Sequence, residues 1–300
     1  DLLVGAPEIL TTDGRAYLFP GSATGLDAAP SLTLSGAGLV ECFGTSVSGA
    51  GDVNSDGYDD VIVGESGDSS STGAAYVFLG SASGLSSSAS TVLVAPSAGI
   101  YFGDTVAGAG DVNGDGYDDV MVATYRYSSY TGQAYLYLGG AAGVSATVSS
   151  TLTGSATSMR LGWSMDGAGD VDGDGFDDVI IGSYGYSSYK GKAAVYYGSS
   201  GGLSASDSTS VYGSATGDYF GFQVAGLGDL DSDGYDDVAI GMPGESSDTG
   251  ALTVYLGGAS GLSGYGSSVG DDYNDAFGWS LAAAGDVDGD GHTDIIVGAP

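Results

Sequence analysis

One eleven-residue phrase, repeated five times at a fixed interval, restricts what this chain can fold into more than any other feature. It reads GDVNSDGYDDV from Gly51, GDVNGDGYDDV from Gly110, GDVDGDGFDDV from Gly169, GDLDSDGYDDV from Gly228 and GDVDGDGHTDI from Gly285. The leading aspartates stand at 52, 111, 170, 229 and 286, so the interval is 59 residues three times and then 57. A period this constant means a repeat architecture, in which each unit buries its apolar face against its neighbours.

The rest of the unit repeats with the phrase. Ahead of it stands an apolar residue followed by glycine: Phe43-Gly44, Phe102-Gly103, Leu161-Gly162, Phe220-Gly221 and Phe277-Gly278. After it come the apolar runs DVIVGES, DVMVATY, DVIIGSY, DVAIGMP and DIIVGAP. A second set follows, AAYVFLG, QAYLYLG, KAAVYYG and ALTVYLG, with RAYLFPG near the start. A weaker set comes last: SLTLSG, STVLVA, STLTGS and STSVYG. These runs are short, rich in β-branched and aromatic residues, and punctuated by Gly, Ser and Asp, so they read as strands. No segment carries a helical stripe with caps.

Four short strands per unit predict an all-β fold, a β-propeller of four-stranded antiparallel blades with about five repeats, open to being part of a larger ring. The predicted units are 1–42, 43–101, 102–160, 161–219, 220–276 and a partial 277–300, within one domain spanning 1–300. The chain opens on a second strand, Asp1-Leu2-Leu3-Val4-Gly5-Ala6-Pro7, and ends on another, Asp294-Ile295-Ile296-Val297-Gly298-Ala299-Pro300. In one reading the first strand near Leu281 completes the opening blade and closes the ring without an exposed edge. In the other, the surplus strand marks a piece of a longer propeller. No leader-type segment is present, and a start inside a repeat leads us to expect an excised region of a longer protein.

Charge excludes whole classes of partner. Lys and Arg number 5 against 38 Asp and Glu, a formal charge of −33. Nucleic acid needs a basic face for its phosphates, and an anionic membrane needs clustered Lys and Arg. No apolar run is long enough to insert in a bilayer. Hydrophobic residues make up 42% of the chain and Tyr alone 21 positions, enough for a packed core. The charge must then be neutralised locally, or the compact state would repel itself. Cys42 and His292 are the only residues of their types, which excludes a disulfide, a Cys-based zinc site and a His-dependent triad.

The repeated phrase supplies the neutralising site. In its first copy Asp52, Asn54 and Asp56 are alternate residues at positions 1, 3 and 5; Gly57 is at 6, Tyr58 at 7 and Asp60 at 9. Alternate side-chain oxygens, a glycine turn with positive φ, a backbone carbonyl and one more carboxylate wrap a hard cation, and calcium takes six to eight such oxygens. Magnesium demands a stricter octahedron. The other copies offer Asp111, Asn113, Asp115, Tyr117 and Asp119; Asp170, Asp172, Asp174, Phe176 and Asp178; Asp229, Asp231, Asp233, Tyr235 and Asp237; and Asp286, Asp288, Asp290, His292 and Asp294. His292 is expected to contribute its carbonyl rather than its ring. The residue at position 8, Asp59, Asp118, Asp177, Asp236 or Thr293, is expected to turn away from the ion. Position 12 is Val63, Val122, Ile181, Ile240 or Val297, where an EF-hand needs Glu, so that motif is excluded.

A magnitude separates metal loops from plain turns. Two carboxylates about 4 Å apart repel by roughly 4 kcal/mol at an effective dielectric of 20. The phrases hold 22 of the 38 acidic residues. Five Ca²⁺, one per loop, would bring the formal charge from −33 to −23.

With the F-G pair, the D-x-[DN]-x-D-G-x-x-D loop and the G-A-P ending in one unit, the chain resembles the FG-GAP repeats of integrin α-subunit propellers. G-A-P is intact at Gly5-Ala6-Pro7 and Gly298-Ala299-Pro300; elsewhere it reads GES, ATY, GSY and GMP. The resemblance implies calcium between the first two strands of each blade, an extracellular or cell-surface location, and a role in adhesion or ligand binding. It also implies a seven-bladed ring, of which about five blades are present, and it is closest in character to a prokaryotic relative with near-identical repeats.

In such propellers the ligand is engaged on the face opposite the calcium loops. There the connections between second and third strands carry Tyr125, Arg126, Tyr127 and Tyr130, and Tyr184, Tyr186 and Tyr189. Those between fourth and first strands carry Tyr101, Arg160, Tyr219 and Tyr273. Tyr and Arg among Ser and Gly suit an adaptable surface for a protein or glycan; padding between blades is the plainer reading. Trp163 and Trp279 are expected in the core or between blades, and Cys42 as a small buried apolar group. A structural element of a surface fibre, self-assembling through its repeats, is the alternative. A lyase- or hydrolase-type enzyme is disfavoured, because Glu65, Asp104 and Glu245 are scattered outside the loops; the expectation is no enzymatic activity and no catalytic residues.

Overall fold

In the computed structural model, which describes residues 1–7, 14–36, 42–67, 72–96 and 101–300, the repeat becomes a succession of antiparallel sheets. Leu2–Ala6, Arg15–Phe19 and Leu32–Ser35 form a three-stranded sheet. Four complete four-stranded sheets follow, each in simple chain order. The first is Cys42–Gly51, Asp60–Ser66, Ala74–Phe78 and Thr91–Val94. The second is Thr105–Gly110, Asp119–Thr124, Gln133–Tyr137 and Val148–Thr153. The third is Ser164–Gly169, Asp178–Gly182, Lys192–Tyr196 and Thr209–Tyr212. The fourth is Gln223–Gly228, Asp237–Met242, Ala251–Leu256 and Ser263–Val269, whose outermost strand the sequence pattern missed. Ser280–Gly285 pairs with Asp294–Gly298.

That last pair shows which strand Ser280–Gly285 joins. Leu281 lies opposite Val297, not opposite the opening strand. Leu2–Ala6 pairs only with Arg15–Phe19 among the described residues, so Ser280–Gly285 does not complete the first sheet. The acidic loop between 285 and 294 instead joins its own two flanking strands.

The apolar residues form layers between sheets rather than one central core. Ile62, Val77 and Leu93 of one sheet pack on Phe102, Val120, Val122 and Tyr137 of the next. Ala107, Met121 and Leu136 then pack on Met165, Val179 and Ile181, and the pattern continues to Leu252 and Leu281. Each fully buried side chain of this size contributes about 1.5–3 kcal/mol. Almost all of that gain depends on the neighbouring sheet being present.

The F-G pair is the hinge of this packing. Phe43, Phe102 and Phe220 are fully buried, and the Phe102 ring lies 5.6 Å from Tyr135 and 6.3 Å, edge-on, from Tyr137. The following Gly103 has φ +87°, and a methyl group there would run into the Ala74 carbonyl oxygen of the preceding sheet. Backbone touches backbone, so glycine is required on two independent counts.

The antiparallel order sends successive connections to opposite ends of the sheets. The acidic loops, between first and second strands, share one end. The connections from second to third and from fourth to first strands share the other. There, two tyrosine-flanked turns, Tyr127–Tyr130 and Tyr186–Tyr189, hold left-handed serines, with φ of 45° and 60° at Ser128 and Ser129.

Candidate functional site

Each acidic loop is wound around its first aspartate. Asp52 Oδ1 accepts the Asp56 N–H at 3.0 Å and Oδ2 the Gly57 N–H at 2.7 Å. Asp56 Oδ1 accepts the Tyr58 N–H at 3.1 Å. The same bonds recur around Asp111, Asp170, Asp229 and Asp286. Gly57, Gly116, Gly175, Gly234 and Gly291 have φ of 88–93° with open space where a Cβ would stand, so here conformation alone selects glycine, as the spacing predicts.

The aspartate at position 9 opens the second strand and is fully buried at Asp60, Asp119, Asp178 and Asp237. Asp60 Oδ2 accepts the Val53 N–H at 3.0 Å and Oδ1 the Gly80 N–H at 2.6 Å, closing the loop onto the end of the third strand. Burial pushes Asp60 up to about 6 and Asp119 and Asp178 to about 7. The two N–H bonds oppose that shift, and the neighbouring loop carboxylates add to it. Burial raises Asp237 as well. A buried carboxyl that two backbone donors fail to keep acidic is one that a cation would stabilise.

The structure gathers three of the four predicted side-chain ligands in each of the last three loops, with Asp174, Asp233 and Asp294 outside those groups. Carboxylate oxygens of Asp170, Asp172 and Asp178 lie within 4.8 Å of one another, as do those of Asp229, Asp231 and Asp237, and of Asp286, Asp288 and Asp290. In the first two copies position 3 is an amide, and Asn54 and Asn113 each donate to the aspartate two residues on at 3.0 Å. Asp172 Oδ1 is buried without a hydrogen-bond partner, beside the oxygens of Asp170 and Asp178. An orphaned carboxylate oxygen in an all-oxygen cluster fits a hard divalent cation.

Position 8 has a role that the sequence reading missed. Asp118 Oδ2 accepts the N–H of Asp52 in the preceding loop at 2.7 Å, and the Asp118 N–H donates back to the Asp52 carbonyl at 3.3 Å. Asp177 and Asp236 bind Asp111 and Asp170 in the same way, both at 2.8 Å. These aspartates staple adjacent blades. Gly51, Gly110 and Gly169 make room for them, since a side chain there would strike the stapling carboxylate. The fifth copy has Thr293 instead, and the His292 ring takes over: its Nδ1 lies 2.8 Å from the Leu230 carbonyl. The ring of His292, expected to be idle, therefore bridges two blades. The clue was present in the phrase itself, where Asp stands at position 8 in four copies without a ligand's spacing.

The opposite end carries rings and cations. Tyr125, Trp163, Tyr184, Phe222 and Trp279 form a continuous aromatic strip across neighbouring blades, with centroids 4.7 Å apart at Tyr125–Trp163 and Trp163–Tyr184 and 4.6 Å at Phe222–Trp279. Trp163 packs between blades as expected; Trp279 also packs against Phe222 of the neighbouring blade but stays 49% exposed. The Arg126 guanidinium lies 4.5 Å from the Tyr101 ring and 3.6 Å from Asp104. Of the seven residues expected on this surface, Tyr127 and Tyr186 turn inward against the apolar layers. Tyr125, Arg126, Tyr130, Tyr184 and Tyr189 belong to the outward cluster.

Two carboxylates read as scattered or overlooked share one axial cavity of about 340 Å³ between the first strands, Asp104 and Asp166. Burial pushes Asp104 up to about 7 against the pull of Arg126, and Asp166 to about 6 against N–H bonds from Gly226 and Gly167. Ala107, Ala225 and Ala282 hold the place equivalent to Asp166, so departure from the repeat was the available signal. A folded-state value above the ordinary 3.8 means stability that is present at low pH and lost as pH rises through about 6. The ceiling is about 3 kcal/mol for a two-unit shift. In saturating calcium, Asp166→Ala is expected to raise the melting temperature at pH 7.5 relative to that at pH 4.5 by several degrees. An unchanged difference would refute that assignment.

Comparison with known proteins follows the same lines. The FG-GAP repeat matches residues 220–255 and 277–300, and the FG-GAP-like repeat matches 52–122 and 111–181. Integrin alpha-4 of Xenopus laevis is 32% identical over 192 residues, 61% of this chain and 18% of that subunit. Phosphatidylinositol-glycan-specific phospholipase D of Bos taurus is 35% identical over 159 residues, 47% of this chain and 19% of the enzyme. The chain thus matches less than a fifth of the length of these curated relatives. A solved Lactobacillus plantarum protein superposes with a TM-score of 0.57 at 15% identity, over 98% of this chain and 80% of that one. The rhamnogalacturonan lyase PL11 of Bacillus licheniformis reaches only 0.46, at 14% identity over 99% of this chain and 59% of the lyase.

The phospholipase corrects one expectation. Excluding enzymes because the acids are committed to loops does not hold, since these repeats also form part of an enzyme. Among the described residues no helix is long and apolar enough to cross a membrane. Repeats, sheets, loops and relatives agree: the chain belongs to the FG-GAP repeat family, the integrin-type β-propellers.

Proposed function

We propose that this chain is an extracellular, cell-surface-type ligand-binding module whose blades are held by calcium in the five acidic loops. One observation carries the reading: the buried, partnerless Asp172 oxygen among the carboxylates of Asp170 and Asp178. The ligands are those at positions 1, 3, 5 and 9, with the carbonyl of position 7. Calcium would offset the mutual repulsion of each cluster and let Asp60, Asp119, Asp178 and Asp237 stay ionised while buried. The blades so fixed present the Tyr- and Arg-bearing end to a protein or glycan in an adhesive role.

Calorimetric titration of the calcium-free protein tests this. About five ions per chain are expected, with dissociation constants of roughly 10⁻⁴–10⁻³ M, the range of extracellular modules. Asp174→Ala should remove or weaken one site and leave the other four. Absence of calcium uptake in the intact protein would reject the reading.

A further inference from the structure

The aromatic end contains a cavity of about 470 Å³ whose construction specifies a ligand. Arg160 stands at its wall. Its guanidinium lies 4.8 Å from the Tyr184 ring centroid and 5.3 Å from those of Tyr130 and Tyr189. Among the described residues no carboxylate is within ion-pair distance of it, and no hydrogen bond engages its N–H groups. Of the five cations, Arg126 and Lys192 are in ion pairs among the described residues, and Arg160, like Arg15 and Lys190, is in none. Stacking on aromatic faces leaves the in-plane donors of a guanidinium free for a forked bond to a planar anion.

Arg160, Tyr189, Tyr219, Asp248 and Ala276 line the cavity with positive φ, between 49° and 66°, a backbone that the repeat also imposes at the equivalent Tyr101 and Tyr130. Arg160 departs from the repeat, since Tyr101, Tyr219 and Ala276 occupy its place in other blades.

The occupant must satisfy every wall. Trp279, half exposed, and Tyr219 offer flat faces for a ring. Arg160 asks for an anion, and Asp248 at the rim asks for hydroxyl donors. A peptide carboxylate would answer Arg160 and leave Asp248 facing a like charge. The acidic loops lie at the far ends of the strands, about 17–20 Å away for six residues, and salt screens charges within about 8 Å. Their field therefore does not repel an anion here.

We propose that this cavity binds an acidic saccharide, a hexuronate whose carboxylate forks onto Arg160 while its ring stacks on Trp279 and Tyr219 and its hydroxyls meet Asp248. The assignment rests on the reading that this end of the propeller carries the ligand. Trp163 and Trp279 are the only tryptophans, so fluorescence reports the site directly. Trigalacturonate, its fully methyl-esterified form and tri-aspartate would be titrated at fixed calcium, with melting curves in calcium and in chelator measured in parallel. Trigalacturonate is expected to shift the emission saturably and to bind at least tenfold tighter than the ester and the peptide. Arg160→Gln should abolish that preference while keeping the calcium-dependent melting. Tyr189→Ala, at an exposed position, should weaken binding severalfold and serves if the first variant does not fold. Equal binding of the ester or the peptide, a preference surviving in Arg160→Gln, or no binding by trigalacturonate would overturn the proposal. If trigalacturonate fails while calcium still raises the melting temperature, the saccharide assignment falls alone; if it binds but calcium has no effect, the metal-held module falls instead.

Discussion

Stripping divalent ions with a chelator is expected to lower the melting temperature by on the order of 10 °C, and millimolar calcium to restore it. An ion that binds only the folded loop stabilises by RT ln(1 + [L]/Kd), about 1.4 kcal/mol per site when calcium is tenfold above Kd. Five such loops together contribute about 7 kcal/mol, and a chain of this size gains roughly 2 °C per kcal/mol. The gain reaches the four complete blades, because each of their acidic loops ties its first strand, its second strand and the end of its third. Superimposable melting curves in chelator and in calcium would sink the idea.

The second large effect concerns contact between blades rather than ions. Gly103→Ala is expected to lower the melting temperature by nearly as much as chelation does. Its φ of +87° costs an L-residue about 1–2 kcal/mol. Its methyl group would also collide with the Ala74 carbonyl, which belongs to a strand and has little room to retreat; overpacking of this kind costs about 1–3 kcal/mol. Gly217→Ala separates the two causes. Its φ is +91°, but nothing lies within 4 Å of the added carbon. Only the backbone cost should appear there, a fall of a few degrees. Equal losses at 103 and 217 would show that blade contact contributes little.

How far the sequence carried depended on the range of each interaction. Blades, strand order and the gathering of loop carboxylates were legible because they are local: alternation, a glycine turn and a nine-residue phrase contain all the information. The stapling role of Asp118 was not, because its partner Asp52 lies 66 residues away and position 8 has no ligand spacing. Tyr127 and Tyr186 were misplaced for a related reason. Composition marks tyrosine-rich turns, but left-handed serines within them decide which ring faces inward. Trp279 was read as packing, and it does pack on Phe222, yet it stays 49% exposed. Asp104 and Asp166 became a pair only when separate first strands lined one cavity.

The staples have an evolutionary consequence. Asp118 with Asp52, Asp177 with Asp111 and Asp236 with Asp170 are one joint used three times, and each unit carries the socket for its successor together with the plug for its predecessor. Unequal crossing-over between such copies would insert or delete a whole blade and leave every seam matched. The exception is the joint of His292 with Leu230, where an inserted copy would meet a foreign fitting. Lineages of this protein should therefore vary in blade number ahead of that joint more readily than across it.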